Sequence, residues 1–350
     1  AYFDFDGMVH VRVISNKERV NSARVRPLSY KITPDCVGDT VTFSLSHPRN
    51  LSVEVNGDIF HNLHLFANPI DKFRPSDKEI KRALKKKKGS NLIYFGPGVH
   101  NLPNDTLFVP SGTTVYIDGG ARVYGNIFTE GAHDVNIFGR GEVHPDGRGA
   151  GVWVRRSKNV RIDGIVVSQL PIGQCDSVEL TNVKSISYYG WGDGMDVFSS
   201  SNVILDGVFC RNSDDCTAVY ASTQGFKGGS NNVLVKNATL WADVAHPINI
   251  GGHGDPNGMD TVQNVTFRNI DILDQAEKQI DYQGCLAINP GDNTLVRNIT
   301  FENIRIEDFR NGQLVNFRIS FNPKYCVSTG RGIHNVLVKD VTYNGSGEKL

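Results

Sequence analysis

Charge bias, paired cysteines and long apolar runs are all missing from this chain. Its 350 residues carry 37 basic and 37 acidic side chains, a formal net charge of zero. Without a basic excess there is no electrostatic footprint for nucleic acid or for an anionic membrane surface. No apolar run reaches the ~18 residues of a membrane-spanning helix. The six cysteines (Cys36, Cys175, Cys210, Cys216, Cys285 and Cys326) are scattered and form no CxxC pair. That spacing predicts no zinc or other metal site, and nothing calls for a cofactor. Disulfides and buried free thiols both remain open. No leader is visible, and Ala1 reads as the start of a mature or trimmed chain.

What the chain does have is a phrase that returns about eight times. A polar residue, usually Asn, precedes Val or Ile and opens a β-branched run: Asp134-Val135, Asn159-Val160, Ser177-Val178, Asn202-Val203, Asn232-Val233, Asn264-Val265, Asn298-Ile299 and Asn335-Val336. A repeat at this spacing with strand chemistry and no helix predicts an all-β solenoid. Such a solenoid presents a long groove suited to a polymer chain.

The chain's length suggests about two domains. Residues 1–72 differ from the rest: Val9–Ile14, Thr40–Leu45 and Leu51–Val55 alternate apolar and polar residues, and Asn56-Gly57 marks a hairpin. This predicts a small antiparallel β-sandwich module. Residues 73–90 read as a linker and a capping helix, with a capping box at Ser76 and Glu79 and a solvated last turn at lysines 85–88. Residues 91–350 are the predicted β-helix catalytic domain.

Three acidic positions stand out. Trp191-Gly-Asp-Gly-Met-Asp196 contains Asp193, and Asn212-Ser-Asp-Asp-Cys216 contains Asp214 and Asp215. The step from Asp193 to Asp214 is close to one coil, so the carboxylates stack on one edge of neighbouring turns, where strands lie ~4.8 Å apart. Like charges that close push at least one pKa up. A glycosidase needs that split between a protonated acid and an ionised base. Asp and Asn also occur in β-turns for purely local reasons; the spaced trio is what favours catalysis.

These motifs resemble glycoside hydrolase family 28, the polygalacturonases. Trp-Gly-Asp-Gly-Met-Asp looks like that family's Asn-Thr-Asp-Gly-Phe-Asp, Ser-Asp-Asp-Cys-Thr-Ala-Val resembles its Asp-Asp-Cys-Val-Ala-Ile, and Ala245-His-Pro-Ile-Asn-Ile-Gly-Gly252 resembles its Gly-His-Gly-x-Ser-Ile-Gly-Ser. The resemblance covers residues 91–343. It implies a right-handed parallel β-helix and an inverting hydrolase, with Asp214 as general acid and Asp193 and Asp215 holding the attacking water. It implies a sugar-side or acid-tuning role for His246, and His253, in a literal Gly-His-Gly, is a second candidate.

The family's Arg-Ile-Lys clamp for a uronate carboxylate is absent: the matching stretch is Gly284-Cys-Leu-Ala-Ile-Asn-Pro-Gly291. Arg318 comes one coil too late, which leaves Lys227 as the candidate cation. The groove therefore reads as built for a neutral sugar. A β-sandwich before the helix is similar to family 49, the dextranases and isopullulanases, which act on α-glucans. The expected function is an inverting hydrolase of an α-linked polysaccharide, with a neutral α-glucan first and pectin hydrolysis as the alternative. Trp191, Tyr220, Gln283 and Asn289 are further candidates for sugar contact. A polysaccharide lyase and a non-catalytic carbohydrate-binding solenoid remain competing readings. The expected partner is a polysaccharide or oligosaccharide, and the expected location is secreted or periplasmic.

Overall fold

A computed structural model describes residues 1–17, 19–85, 89–145, 147–319 and 321–345. The chain divides into two compact units, Ala1–Phe73 and Arg74–Leu350.

In the first unit, strands Tyr2–Phe5, Asp58–Pro69, Arg49–Val55 and Ala23–Arg26 form one sheet, and Val9–Ile14, Thr40–Leu45 and Asp35–Val37 form a second. The alternation read in the sequence points Val41, Phe43 and Leu45 from one sheet and Leu51, Val53 and Leu65 from the other into a shared core, which makes a sandwich. Asn56 and Gly57 both take positive φ, 54° and 77°, at the hairpin between Arg49–Val55 and Asp58–Pro69. Two positive φ angles are what the tight hairpin turn demands.

The second unit is a right-handed parallel β-helix, its strands joined in one 24-stranded parallel sheet. The repeated phrase explains its regularity. Val135, Val160, Val178, Val203, Val233, Val265, Ile299 and Val336 pair in register from coil to coil. Most of this stack is wholly buried, and each such side chain is worth ~1.5–3 kcal/mol relative to exposure. The polar residue before each one turns a corner with φ between 52° and 60°. Left-handed backbone suits Asn better than most residues, and the Asn side chains bond to one another along the helix. Asn298 Nδ2 donates to Asn264 Oδ1 at 3.0 Å and Asn335 Nδ2 donates to Asn298 Oδ1 at 2.8 Å.

The α-helix Asp77–Leu84 buries Ile80 and packs against the first coil strand, Leu92–Phe95. Ser76 and Glu79 form the full capping box. Lysines 86–88, read as the solvated last turn, lie outside the described residues; the helix ends at Leu84, with Lys85 as its cap. All six cysteines are free, and five of them are buried.

Candidate active site

Five short strands stack along one face of the β-helix: Val197–Phe198, Thr217–Tyr220, Ile248–Ile250, Leu286–Ile288 and Val315–Phe317. The segments entering the first three carry Asp193, Asp214, Asp215 and His246. Gly194 N–H donates to the Asp215 carbonyl at 2.8 Å, and Cys216 N–H donates to the His246 carbonyl at 2.8 Å, so these residues lie rung upon rung. The two glycines around Asp193 are packing requirements. A Cβ on Gly194 would sit 2.2 Å from the Cys216 carbonyl oxygen, and one on Gly192 would sit 2.4 Å from Ser213 Oγ. Asn212 Nδ2 holds the Asp193 carbonyl at 3.1 Å from beneath. Any larger residue at Gly192 or Gly194 pushes the coils apart and Asp193 out of place.

One oxygen from each of Asp193, Asp214 and Asp215 lies within 4.8 Å of the other two. The three open onto one cleft that Trp191, Tyr220, His246 and His253 also line.

Asp215 is 5 % exposed and its two oxygens accept four hydrogen bonds. Oδ1 takes the His246 backbone N–H at 3.0 Å and Nδ1 at 2.7 Å; Oδ2 takes the Tyr220 hydroxyl at 2.8 Å and Asn249 Nδ2 at 2.9 Å. Burial opposes its ionisation, but the His246 charge and these donors outweigh burial and hold the carboxyl below its usual range. The other ring nitrogen of His246 faces the Tyr282 carbonyl oxygen. With an acceptor at each nitrogen the ring must donate twice, so it is an imidazolium. Burial disfavours that charge, yet Asp215 and the Tyr282 carbonyl push its pKa up to about 9.

The neighbouring acids behave oppositely. Burial, then the Asp215 charge, raises Asp214 to about 7. Burial, then Asp214 and Asp215, holds Asp193 well above the normal carboxylate value, and no other described residue binds its carboxylate. Asp196, also buried and raised, accepts the Ala218 N–H at 3.1 Å. One ionised carboxylate beside three that cling to protons is the split that acid–base chemistry requires.

Three predicted contacts do not reach the cleft lining. Lys227 points to solvent with its side chain 72 % exposed and pairs with Asp255 at 3.6 Å, a surface interaction that draws it off the groove. Gln283 is buried where its backbone N–H closes a turn on the Gln279 carbonyl. Asn289 is buried, with neither side-chain polar atom bonded. Arg318 is engaged by Asp281. Sequence reasoning missed Glu277, a buried acid in the lining, and Lys324, which sits 5.4 Å above the exposed Trp191 ring at the rim. Both lie in irregular segments with no repeat to mark them.

The model of the glycosyl hydrolases family 28 matches residues 146–348, more than half of the chain. The chain belongs to glycosyl hydrolase family 28. Among the curated relatives of this family 28 chain, a polygalacturonase of Juniperus ashei is 27% identical over 219 residues, covering 59% of this chain and 39% of the relative. An exopolygalacturonase of Cochliobolus carbonum is 24% identical over 246 residues, covering 60% and 52%. The chain thus spans about half the length of the curated relatives it matches. The family 28 exopolygalacturonase of Yersinia enterocolitica shares the fold, with a TM-score of 0.61 at 13% identity over 88% of this chain and 74% of that one.

Proposed function

We propose that this family 28 hydrolase cleaves a neutral, α-linked polysaccharide, with a neutral α-glucan as first candidate. The observation that carries this reading is the charge of the cleft. Asp193, Asp196, Asp214, Asp215 and Glu277 all line it, and among the described lining residues there is no Lys or Arg. A uronate carboxylate entering a desolvated site needs a cationic partner. Here the His246 imidazolium is already taken by Asp215 and Lys324 stands at the rim over Trp191, so the carboxylate would lie among acids without a cation of its own. A neutral sugar meets instead the exposed face of Trp191, on which its C–H groups pack, and Asn249 Oδ1, a buried acceptor with no partner that suits a sugar hydroxyl.

In this reading Asp214 is the general acid, since a carboxyl with a pKa of about 7 still holds its proton in neutral solution. Asp193 binds the attacking water, because no other described residue bonds to its carboxylate while all four lone-pair sites of Asp215 are occupied. Asp215, paired with His246, supplies fixed negative charge beside the developing oxocarbenium ion. Asp193 and Asp214 share protons as a coupled pair, and the working form has lost one of the two.

Inversion is kept because Asp193 on one rung can hold the water while Asp214 on the next protonates the leaving oxygen. The close approach of single oxygens of Asp193, Asp214 and Asp215 raises a second reading, in which Asp193 attacks the sugar directly and configuration is retained. Proton NMR of the first product from an α-linked substrate separates them: the β anomer supports inversion, the α anomer retention. Substrate choice is tested with dextran, pullulan, α-1,3-glucan, galactan and polygalacturonate. Hydrolysis of a neutral polymer in preference to polygalacturonate is expected; the reverse order, as the relatives' names favour, would remove the neutral-sugar reading. A polymeric substrate also argues for a secreted or periplasmic site of action, which fractionation of the native host checks.

A further inference from the structure

On the wall of the cleft, three loops from successive coils bring together residues 39 and 34 positions apart in sequence. One nitrogen of His253, one oxygen of Asp292 and the sulfur of Cys326 lie within 4.8 Å of one another. Asp292 and Cys326 are buried, and His253 is half-buried against the cleft. The loops are tied to the coils: Ala221 N–H donates to the His253 carbonyl at 3.2 Å, Gly291 N–H to the Gly251 carbonyl at 3.0 Å and Asp292 N–H to the Ser328 carbonyl at 2.9 Å.

We propose that His253, Asp292 and Cys326 form a site for one thiophilic divalent metal ion, zinc by donor type. Imidazole, carboxylate and thiolate together match a three-ligand zinc site with a fourth position left for water. Sulfur and nitrogen donors disfavour calcium and magnesium, which take oxygen. Zinc bonds of ~2.0–2.3 Å draw the donor atoms slightly closer than they now lie, and His253, the least buried of the three, is free to make that adjustment.

The surroundings of each donor support this assignment. His253 lies beside the Tyr325 backbone, and one of its ring nitrogens faces Asp292 and Cys326. Asp292 Oδ1 accepts the Val327 N–H at 2.7 Å and the Ser328 N–H at 3.3 Å, and this orients Oδ2. Cys326 Sγ donates to the Gly252 carbonyl at 3.1 Å and bonds to Tyr282. On binding, the thiol proton leaves to solvent, a zinc–sulfur bond replaces the contact with Gly252, and the Tyr282 hydroxyl donates to the thiolate. The ion would pin three loops next to the hydrolytic residues, since His253 packs edge-on against Tyr220 at 5.0 Å and Tyr220 holds Asp215. No CxxC pair announces this site, because its members are spaced by coils.

Cobalt(II) is the probe, because a thiolate–cobalt bond gives a near-ultraviolet charge-transfer band that carboxylates alone cannot give. Chelator-treated full chain titrated with cobalt(II) is expected to show the band at one equivalent, and zinc(II) is expected to abolish it. Cys326→Ser loses the band, Asp292→Asn and His253→Gln weaken binding at least tenfold, and Cys36→Ser leaves it intact. Zinc raises the melting temperature of the wild type but not of Cys326→Ser. Folded wild-type protein that shows no band, or a band that survives in Cys326→Ser, would overturn the site.

Discussion

At the residue scale, two adjacent aspartates differ only in what surrounds them. Asp215 receives four donors and stays ionised; Asp214 accepts one backbone N–H, from Asp215 at 3.0 Å, and is pushed up to about 7. If Asp214 is the acid, activity falls as pH rises through and beyond about 7, and a pH–rate profile of kcat/KM reads that limb directly. Stability carries the same signature. Asp193, Asp196 and Asp214 have folded pKa values above the unfolded ~3.9, so their contribution is full below that value and is lost as pH rises through the folded one. His246, raised to about 9, adds stability below ~6.5 that is lost as pH rises through about 9. Asp215 runs the other way, and its contribution fades only as pH falls below ~3.9. Thermal melts should therefore show a higher midpoint at about pH 5 than at about pH 8. Asp193→Asn should flatten that slope and raise the midpoint at the higher pH while removing activity, the trade expected where like charges are held together for function. The acids were legible because they are spaced by one coil. Asn289 and Gln283 lie outside the cleft lining, which the sequence could not show because a polar residue does not reveal which way its side chain faces, and Glu277 stayed hidden because its loop has no period.

At the element scale, the Asn-Val phrase was legible because one corner makes two demands on one residue. The corner needs left-handed backbone, and its side chain must bond along the stack. Asn298 does both, with φ of 56° and amide bonds to Asn264 and Asn335. Asn298→Ala should cost about 1–2 kcal/mol in denaturant unfolding, from lost hydrogen bonds and a strained φ. Asn298→Gly should cost less, since glycine takes that φ freely. Equal losses would mean that backbone conformation contributes nothing at this corner. The unequal gaps between phrases betrayed protruding loops without revealing their course, because loops follow no period of their own.

At the scale of the whole molecule, a chain with no net charge concentrates five acids in one cleft. In the proposed reading that local field, rather than the overall balance, selects the substrate. Glu277→Gln should improve kcat/KM for galacturonate oligomers severalfold and leave a neutral glycan within about twofold, because it removes a repulsion that only the uronate feels. Equal effects on both would assign Glu277 to structure instead. The most direct test of the account is the hydrolysis rate of Asp214→Asn on the best neutral polymer, measured beside its melting temperature. The account predicts a fall of about 10²–10⁴ in turnover with the fold intact. Near-normal turnover in a folded Asp214→Asn protein would contradict it.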